Sequence, residues 1–183
     1  EEYQTQRKPV EPGTRRKNPL LMYKRGAVVH FAISEDEIWM CTNLEPDEPH
    51  FLPFNKGTSD GHAGNDPMKD GDDDYPTGYF WNEICQKENW LRIFHDFVFE
   101  SVEKKEDLTG RLKPVVTQLF PRFHQWNCVT KCLNDVKENG VGRRYLIEHS
   151  AGSGKTETIS WTAHELINLR RPDGEKVFSS VIV

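Results

Sequence analysis

No stretch of this 183-residue chain approaches the ~18 consecutive apolar residues of a membrane-spanning helix, so its sequence offers no bilayer-crossing helix. An excess of positive charge is missing too: 24 Lys and Arg against 29 Asp and Glu leave a net charge of −5. A chain that held nucleic acid by electrostatics alone would need the opposite balance, although a local basic patch is compatible with this one. Cysteine is sparse. Cys41, Cys85, Cys128 and Cys132 show no metal-ligand spacing, and the N-terminus has no apolar leader, so reduced thiols and a cytoplasmic location are expected. Cys128 and Cys132 can share a helix face, where thiols without a further Cys or His partner pack as small apolar groups. No internal repeat is present. The first residue is not Met, and the chain closes inside the apolar run Val181-Ile182-Val183, as expected of a fragment with neighbours on both sides.

What is there is unevenly spread. Residues 7–25 carry Arg7, Lys8, Arg15, Arg16, Lys17, Lys24 and Arg25, whereas 60–74 carry six aspartates, a pattern that reads as a solvated acidic loop. The run Ala27–Ile33, the turn Ser34-Glu35-Asp36 and the run Glu37–Thr42 predict an antiparallel hairpin. Phe51-Leu52-Pro53-Phe54 predicts an edge strand or docked loop because of its internal proline. From Asn55 to Gly78 the chain is irregular and glycine-rich, hence functional or disordered. Helical spacing follows in 79–86 and 90–100, with Phe80, Ile84, Leu91, Phe94, Phe97 and Val98 as core-facing stripes or a base-stacking surface. Residues 101–113 read as a charged linker.

Beyond that linker the pattern turns to α/β. Arg122–Asn139 predicts a helix with Phe123, Trp126, Val129, Cys132, Leu133 and Val136 on one face, closed by Asn139-Gly140. A strand over 144–148, a helix over 156–169, a turn at Arg171–Gly174 and a strand over 177–183 follow. Between the first strand and its helix lies His149-Ser150-Ala151-Gly152-Ser153-Gly154-Lys155-Thr156. A strand, a glycine-rich turn and a helix start form a nucleotide phosphate site, because side-chain-free turns let backbone N–H groups converge on an anion at the positive end of the helix dipole. Ala151, Gly152, Ser153, Gly154, Lys155 and Thr156 are the candidate cradle. Lys155 would reach the β/γ-phosphates and Thr156 would offer its hydroxyl to Mg²⁺. His149 stands where the usual pattern has its first glycine. About 30 residues upstream, Gln125 opens the preceding helix. Its amide offers both a donor and an acceptor, the pair that adenine presents in N6 and N7, though one glutamine at a helix start is otherwise a solvated residue.

Pro121-Arg122-Phe123-His124-Gln125, the stretch 144–156 and the closing Val-Phe-Ser-Ser-Val-Ile-Val resemble the motor (R) subunit of type I restriction–modification enzymes. In the first half, Val29–Ala32, Met40-Cys41-Thr42, Phe51–Gly57, Gly64-Asn65 and Tyr79-Phe80-Trp81 resemble the back end of that subunit's nuclease domain. The resemblance implies an α/β fold in two parts. Residues 1–105 would be the C-terminal part of a mixed α/β restriction-nuclease-like domain. Residues 106–183 would be the first strands and helices of a RecA-like parallel sheet, as in superfamily 2 translocases. It implies ATP and Mg²⁺ as cofactors and double-stranded DNA as the translocated and cleaved substrate. Modification and specificity subunits would be partners. By position, residues 152–156 would hold the ATP phosphates and Mg²⁺, Gln125 would read adenine, and Tyr3 and Arg7 would follow the nuclease core. The family's nuclease carboxylates, motor Asp-Glu pair and γ-phosphate arginines fall outside this sequence. Since phosphoryl transfer needs positioning, metal and charge neutralisation together, the chain alone is expected to bind nucleotide weakly and to catalyse neither reaction. A different helicase or remodelling ATPase shares the second half of the pattern, and a non-catalytic remnant shares all of it.

Overall fold

A computed structural model describes residues 10–11, 13–14, 16, 18–44, 50–71, 74–107 and 110–183. Tyr3 and Arg7 lie outside the described residues. The architecture is mixed α/β with small antiparallel sheets and a few helices, in two compact units, Glu1–Arg122 and Phe123–Val183. The division at 105/106 that the resemblance implies falls within a strand.

In the first unit, strands β1 (His30–Ile33) and β2 (Ile38–Cys41) form the expected antiparallel hairpin, with His30 opposite Cys41 and Ile33 opposite Ile38. Its turn is closed by Ser34, whose hydroxyl accepts the Glu37 N–H at 3.0 Å. Strand β3 (Leu52–Pro53) adds to the other side of β2, its proline on the sheet edge as the sequence requires. Turns of π-helix over Phe80–Ile84 and Ile93–Phe97 flank helix α1 (Lys87–Arg92). Ile38, Phe54, Ile84, Ile93 and Phe97 are fully buried, and Phe31, Phe54, Phe80, Phe94, Trp90 and Phe120 meet in edge-on and tilted ring contacts. The aromatic stripes are therefore core, apart from Leu91, which is exposed.

The segment read as a linker is instead the most regular sheet of the molecule. Strands β4 (Phe99–Glu106) and β5 (Leu112–Leu119) pair antiparallel over their whole length, from Phe99–Leu119 to Glu106–Leu112. Both faces are largely solvated, so polar residues occupy both alternations and no hydrophobic period of two appears in the sequence. Tyr23 Oη donates to the Val116 carbonyl at 3.2 Å and accepts the Gln118 N–H at 2.8 Å, so these groups face away from β4. Pro114 has the same parity, and its missing N–H is one the ladder never uses.

The glycine-rich stretch after β3 is tied down by two asparagines. Asn55 Oδ1 accepts the Ile38 N–H at 2.8 Å. Asn65 Oδ1 accepts the Lys56 N–H at 2.8 Å, while its Nδ2 donates to the Asp36 carbonyl at 2.7 Å. Tyr79 Oη donates to the Phe54 carbonyl at 2.7 Å from the other side. Gly57, with φ of +93°, turns the chain so that its N–H reaches the Gly64 carbonyl at 2.8 Å.

The second unit consists of helices α2 (Phe123–Asn139) and α3 (Lys155–Asn168) with extended segments before and after α3. Helix α2 buries Phe123, Trp126, Val129, Leu133 and Val136, and Gly140, at φ +76°, ends it by donating to the Val136 carbonyl at 3.0 Å. The expected parallel sheet is not formed: 144–148 and 177–183 make no strand, and no parallel sheet occurs among the described residues. A parallel strand needs neighbours on its edges and cover on both faces. Here Leu146 is 88% exposed and Ile182 95% exposed, so the two segments have neither. Among the described residues no helix is long and apolar enough to cross a membrane.

Asn65→Ala removes two main-chain anchors at once, and an expected loss of about 1–3 kcal/mol in urea unfolding follows. Asn65→Asp, which keeps the acceptor and loses the donors, should fall between; an alanine variant as stable as the parent would show that the loop is held by something else.

Candidate functional site: the 149–156 turn

The turn 149–156 leaves an extended segment and enters α3 through two glycines in the left-handed region, Gly152 at φ +71° and Gly154 at φ +77°. Residues with a Cβ rarely adopt these angles, which explains the glycines at these two positions. Gly154 is the N-cap of α3 and offers no side chain to its first turn. Hydrogen bonding of the helix backbone begins with Thr158 N–H on the Gly154 carbonyl at 3.1 Å. The N–H groups of Lys155, Thr156 and Glu157 thus stand at the helix start without a capping side chain, the arrangement that takes an anion.

The Gly154 carbonyl collects three donors. Besides Thr158 N–H, it accepts the Thr158 hydroxyl at 3.0 Å and Gln125 Nε2 at 2.9 Å. Gln125 lies 4% exposed on the first turn of α2 and ties that helix to the turn. Beside it, His124 Nε2 bonds the Ser153 carbonyl at 3.0 Å, which puts the imidazole proton on Nε2 because a carbonyl only accepts. The His124 ring meets the His149 ring edge-on at 4.9 Å. Ser153 is buried, and its hydroxyl has no partner among the described residues. Ala151, Gly152, Lys155 and Thr156 are exposed.

Lys155 is folded back across its own turn. Its ammonium donates to the carbonyls of His149 at 3.1 Å and Ser150 at 2.8 Å. Two neutral carbonyls are weaker acceptors than a phosphate oxygen, so an arriving polyphosphate can take the ammonium from them. Thr156 is exposed in the first turn of α3. Mg²⁺ commonly takes one or two protein oxygens plus phosphates and water, which fits a lone threonine hydroxyl beside a polyphosphate. Among the described residues no group of three His, Cys, Asp or Glu side chains forms a protein-only metal cage.

Every proposed cradle residue therefore lies on one turn, and Gln125 touches it. The sequence did not single out His124, Thr158 or Asp135, which hold the turn in place. Asp135 on α2 accepts Asn139 Nδ2 at 2.8 Å, Arg143 Nη1 at 3.2 Å and the Tyr145 hydroxyl, and so anchors the segment that leads into the turn. The four-residue step from Asp135 to Asn139 is the only part of this cluster that helical spacing could have suggested. Farther up α2, burial pushes the Cys128 thiol up to about 11, and Cys132 is raised for the same reason.

No family model matches the chain, and no curated protein or solved structure matches it.

The Tyr145 hydroxyl, with Asn139 and Arg143 behind it, holds the Asp135 carboxyl below the ordinary carboxylate value of 3.8. A carboxyl whose pKa is lower in the folded state adds stability above its unfolded pKa and loses it as pH falls through the folded one. The parent should therefore unfold at higher urea than Asp135→Asn at neutral pH, with the gap closing below pH ~4. A gap independent of pH would mean that charge at Asp135 does not anchor the segment.

Proposed function

We propose that the 149–156 turn is the triphosphate cradle of an ATP-dependent motor, and that the chain is part of the restriction subunit of a type I restriction–modification enzyme. The observation that supports this reading most is a single one: the left-handed pair Gly152 and Gly154 delivers the chain into the uncapped start of α3, with the Lys155 ammonium lying over the turn.

In this reading the N–H groups of residues 152–156 surround the β- and γ-phosphates, and Lys155 leaves the His149 and Ser150 carbonyls to neutralise them. Thr156 supplies one oxygen to the Mg²⁺ that accompanies the nucleotide, and the metal supplies charge neutralisation between the phosphates. Gln125 has a double duty. Its amide nitrogen bonds the Gly154 carbonyl, and recognition of adenine by the same side chain would couple the base to the shape of the turn. The extended segments 144–148 and 177–183 are those that a RecA-like parallel sheet would use. Translocation and cleavage of double-stranded DNA, and assembly with modification and specificity subunits, belong to this proposal through the resemblance of residues 121–156 and of the first half of the chain.

The test is binding of Mg²⁺-triphosphate, read residue by residue because affinity will be low. In amide NMR titrations up to millimolar ATP, shifts should concentrate on residues 151–157. Lys155→Ala should weaken binding about tenfold or more, as loss of a charge-assisted contact worth roughly 1.5–3 kcal/mol implies. Folding should change little, since Lys155 is exposed. Shifts that leave the turn untouched, or binding indifferent to Lys155, would refute the cradle.

A further inference from the structure

The β4–β5 ribbon ends in an edge whose chemistry is self-complementary. Val116 C=O and Gln118 N–H face outward from β5, toward the Tyr23 hydroxyl. In an antiparallel pair the N–H and C=O of one residue point the same way, so 116 and 118 belong to the pairs that exchange no hydrogen bonds. Their partners Val102 and Glu100, and by the same parity Lys104, then turn N–H and C=O outward from β4. No strand pairs with that edge among the described residues. Val102 is 64% exposed in its middle. A two-stranded ribbon solvated on both faces is marginal alone, and pairing with further strands is what stabilises one.

We propose that this edge pairs with itself: two copies of the chain join β4 to β4, antiparallel, about a two-fold axis at Val102, to make a continuous four-stranded sheet. The charges select that register. Centring on Val102 sets Glu100 opposite Lys104 of the second copy, Lys104 opposite its Glu100, and the two Val102 side chains against each other. Opposite charges across strands stabilise and like charges destabilise. Centring on Glu103 would place Glu100 against Glu106, and centring on Glu100 or Lys104 would place like charges on the axis. Charged residues usually blunt an edge against any partner. Here their order favours one register: centring on Val102 pairs opposite charges and no like ones, whereas centring on Ser101 sets Glu100 against Val102 and pairs no opposite charges. Within a single copy Glu100 is bonded to Lys24 at 2.8 Å, an exposed ion pair that the second copy's Lys104 would share or replace.

Sedimentation velocity over a concentration series tests this with charge reversal. The parent chain should show a reversible monomer–dimer equilibrium. Glu100→Lys and Lys104→Glu each set like charges opposite one another twice, by symmetry, and should each weaken dimerisation about tenfold or more. Mixed in equal amounts the two variants complement one another, and association should return to near the parent level, which also shows that both are folded. Val102→Pro removes an outward N–H that the β4–β5 ladder does not use, as Pro114 already does on β5, and should abolish association with the circular dichroism unchanged. A monomeric parent at all concentrations, single variants that associate like the parent, or a mixture that fails to recover would each overturn the proposal.

Discussion

The Gly154 carbonyl is the constraint on which the second unit is organised. It receives the first backbone bond of α3, the Thr158 hydroxyl and the Gln125 amide, and the residue that presents it is left-handed. Once that oxygen is committed inward, the N–H groups at the start of α3 must face the other way. The exposed start of α3 is thus a consequence of how the turn is fastened from beneath. His124 adds a second fastening one residue earlier, through the Ser153 carbonyl. Two adjacent side chains of α2 thus hold the Ser153 and Gly154 carbonyls, while the His149 and Ser150 carbonyls face the Lys155 ammonium and the Ser153 N–H is spent on Ser150.

Much of the local structure could be read from residue order, for identifiable reasons. The hairpin of β1 and β2 has two β-rich apolar runs and a serine at its turn, and α2 has a three-and-four stripe closed by Asn139-Gly140. Both signals are local. The glycines of the 149–156 turn were legible because residues with a Cβ rarely take their angles. What failed were elements that depend on partners distant in sequence. The strands 144–148 and 177–183 are apolar enough for a parallel sheet, but strand formation is decided by neighbours rather than by composition. Conversely, β4 is crowded with glutamates and lysines and β5 opens on Leu112-Lys113-Pro114, so neither resembles a strand, yet they pair because a long register with a Tyr23 brace compensates for the lack of a buried face.

The same distinction separates the site residues that were legible from those that were not. Lys155 and Thr156 are placed by the motif itself. Gln125, His124 and Asp135 act through contacts to residues 10 to 29 positions away, and a single sequence carries no mark of such contacts. Gln125 was singled out for its hydrogen-bonding edge toward adenine, whereas the bond it makes in the structure is to the turn. These two roles are compatible in chemistry, since a primary amide has two N–H groups and an acceptor oxygen. Moving that amide would release the Gly154 carbonyl it holds, so whatever Gln125 binds is coupled to the shape of the turn.

Lys155 completes this logic. An ammonium standing free above the start of a helix is repelled by the positive ends of the N–H dipoles there. Folded onto the His149 and Ser150 carbonyls, it keeps the turn closed on itself while the site awaits an anion. Those two bonds are between a charge and neutral dipoles at an exposed position, so they are weak in water, and in the proposed cradle a polyphosphate would outcompete them by offering full charge. Because the ammonium and the N–H groups then share one ligand, the turn need change little beyond one lysine side chain. The work of shaping the cradle is done beforehand by α2, through the carbonyls that Gln125 and His124 hold.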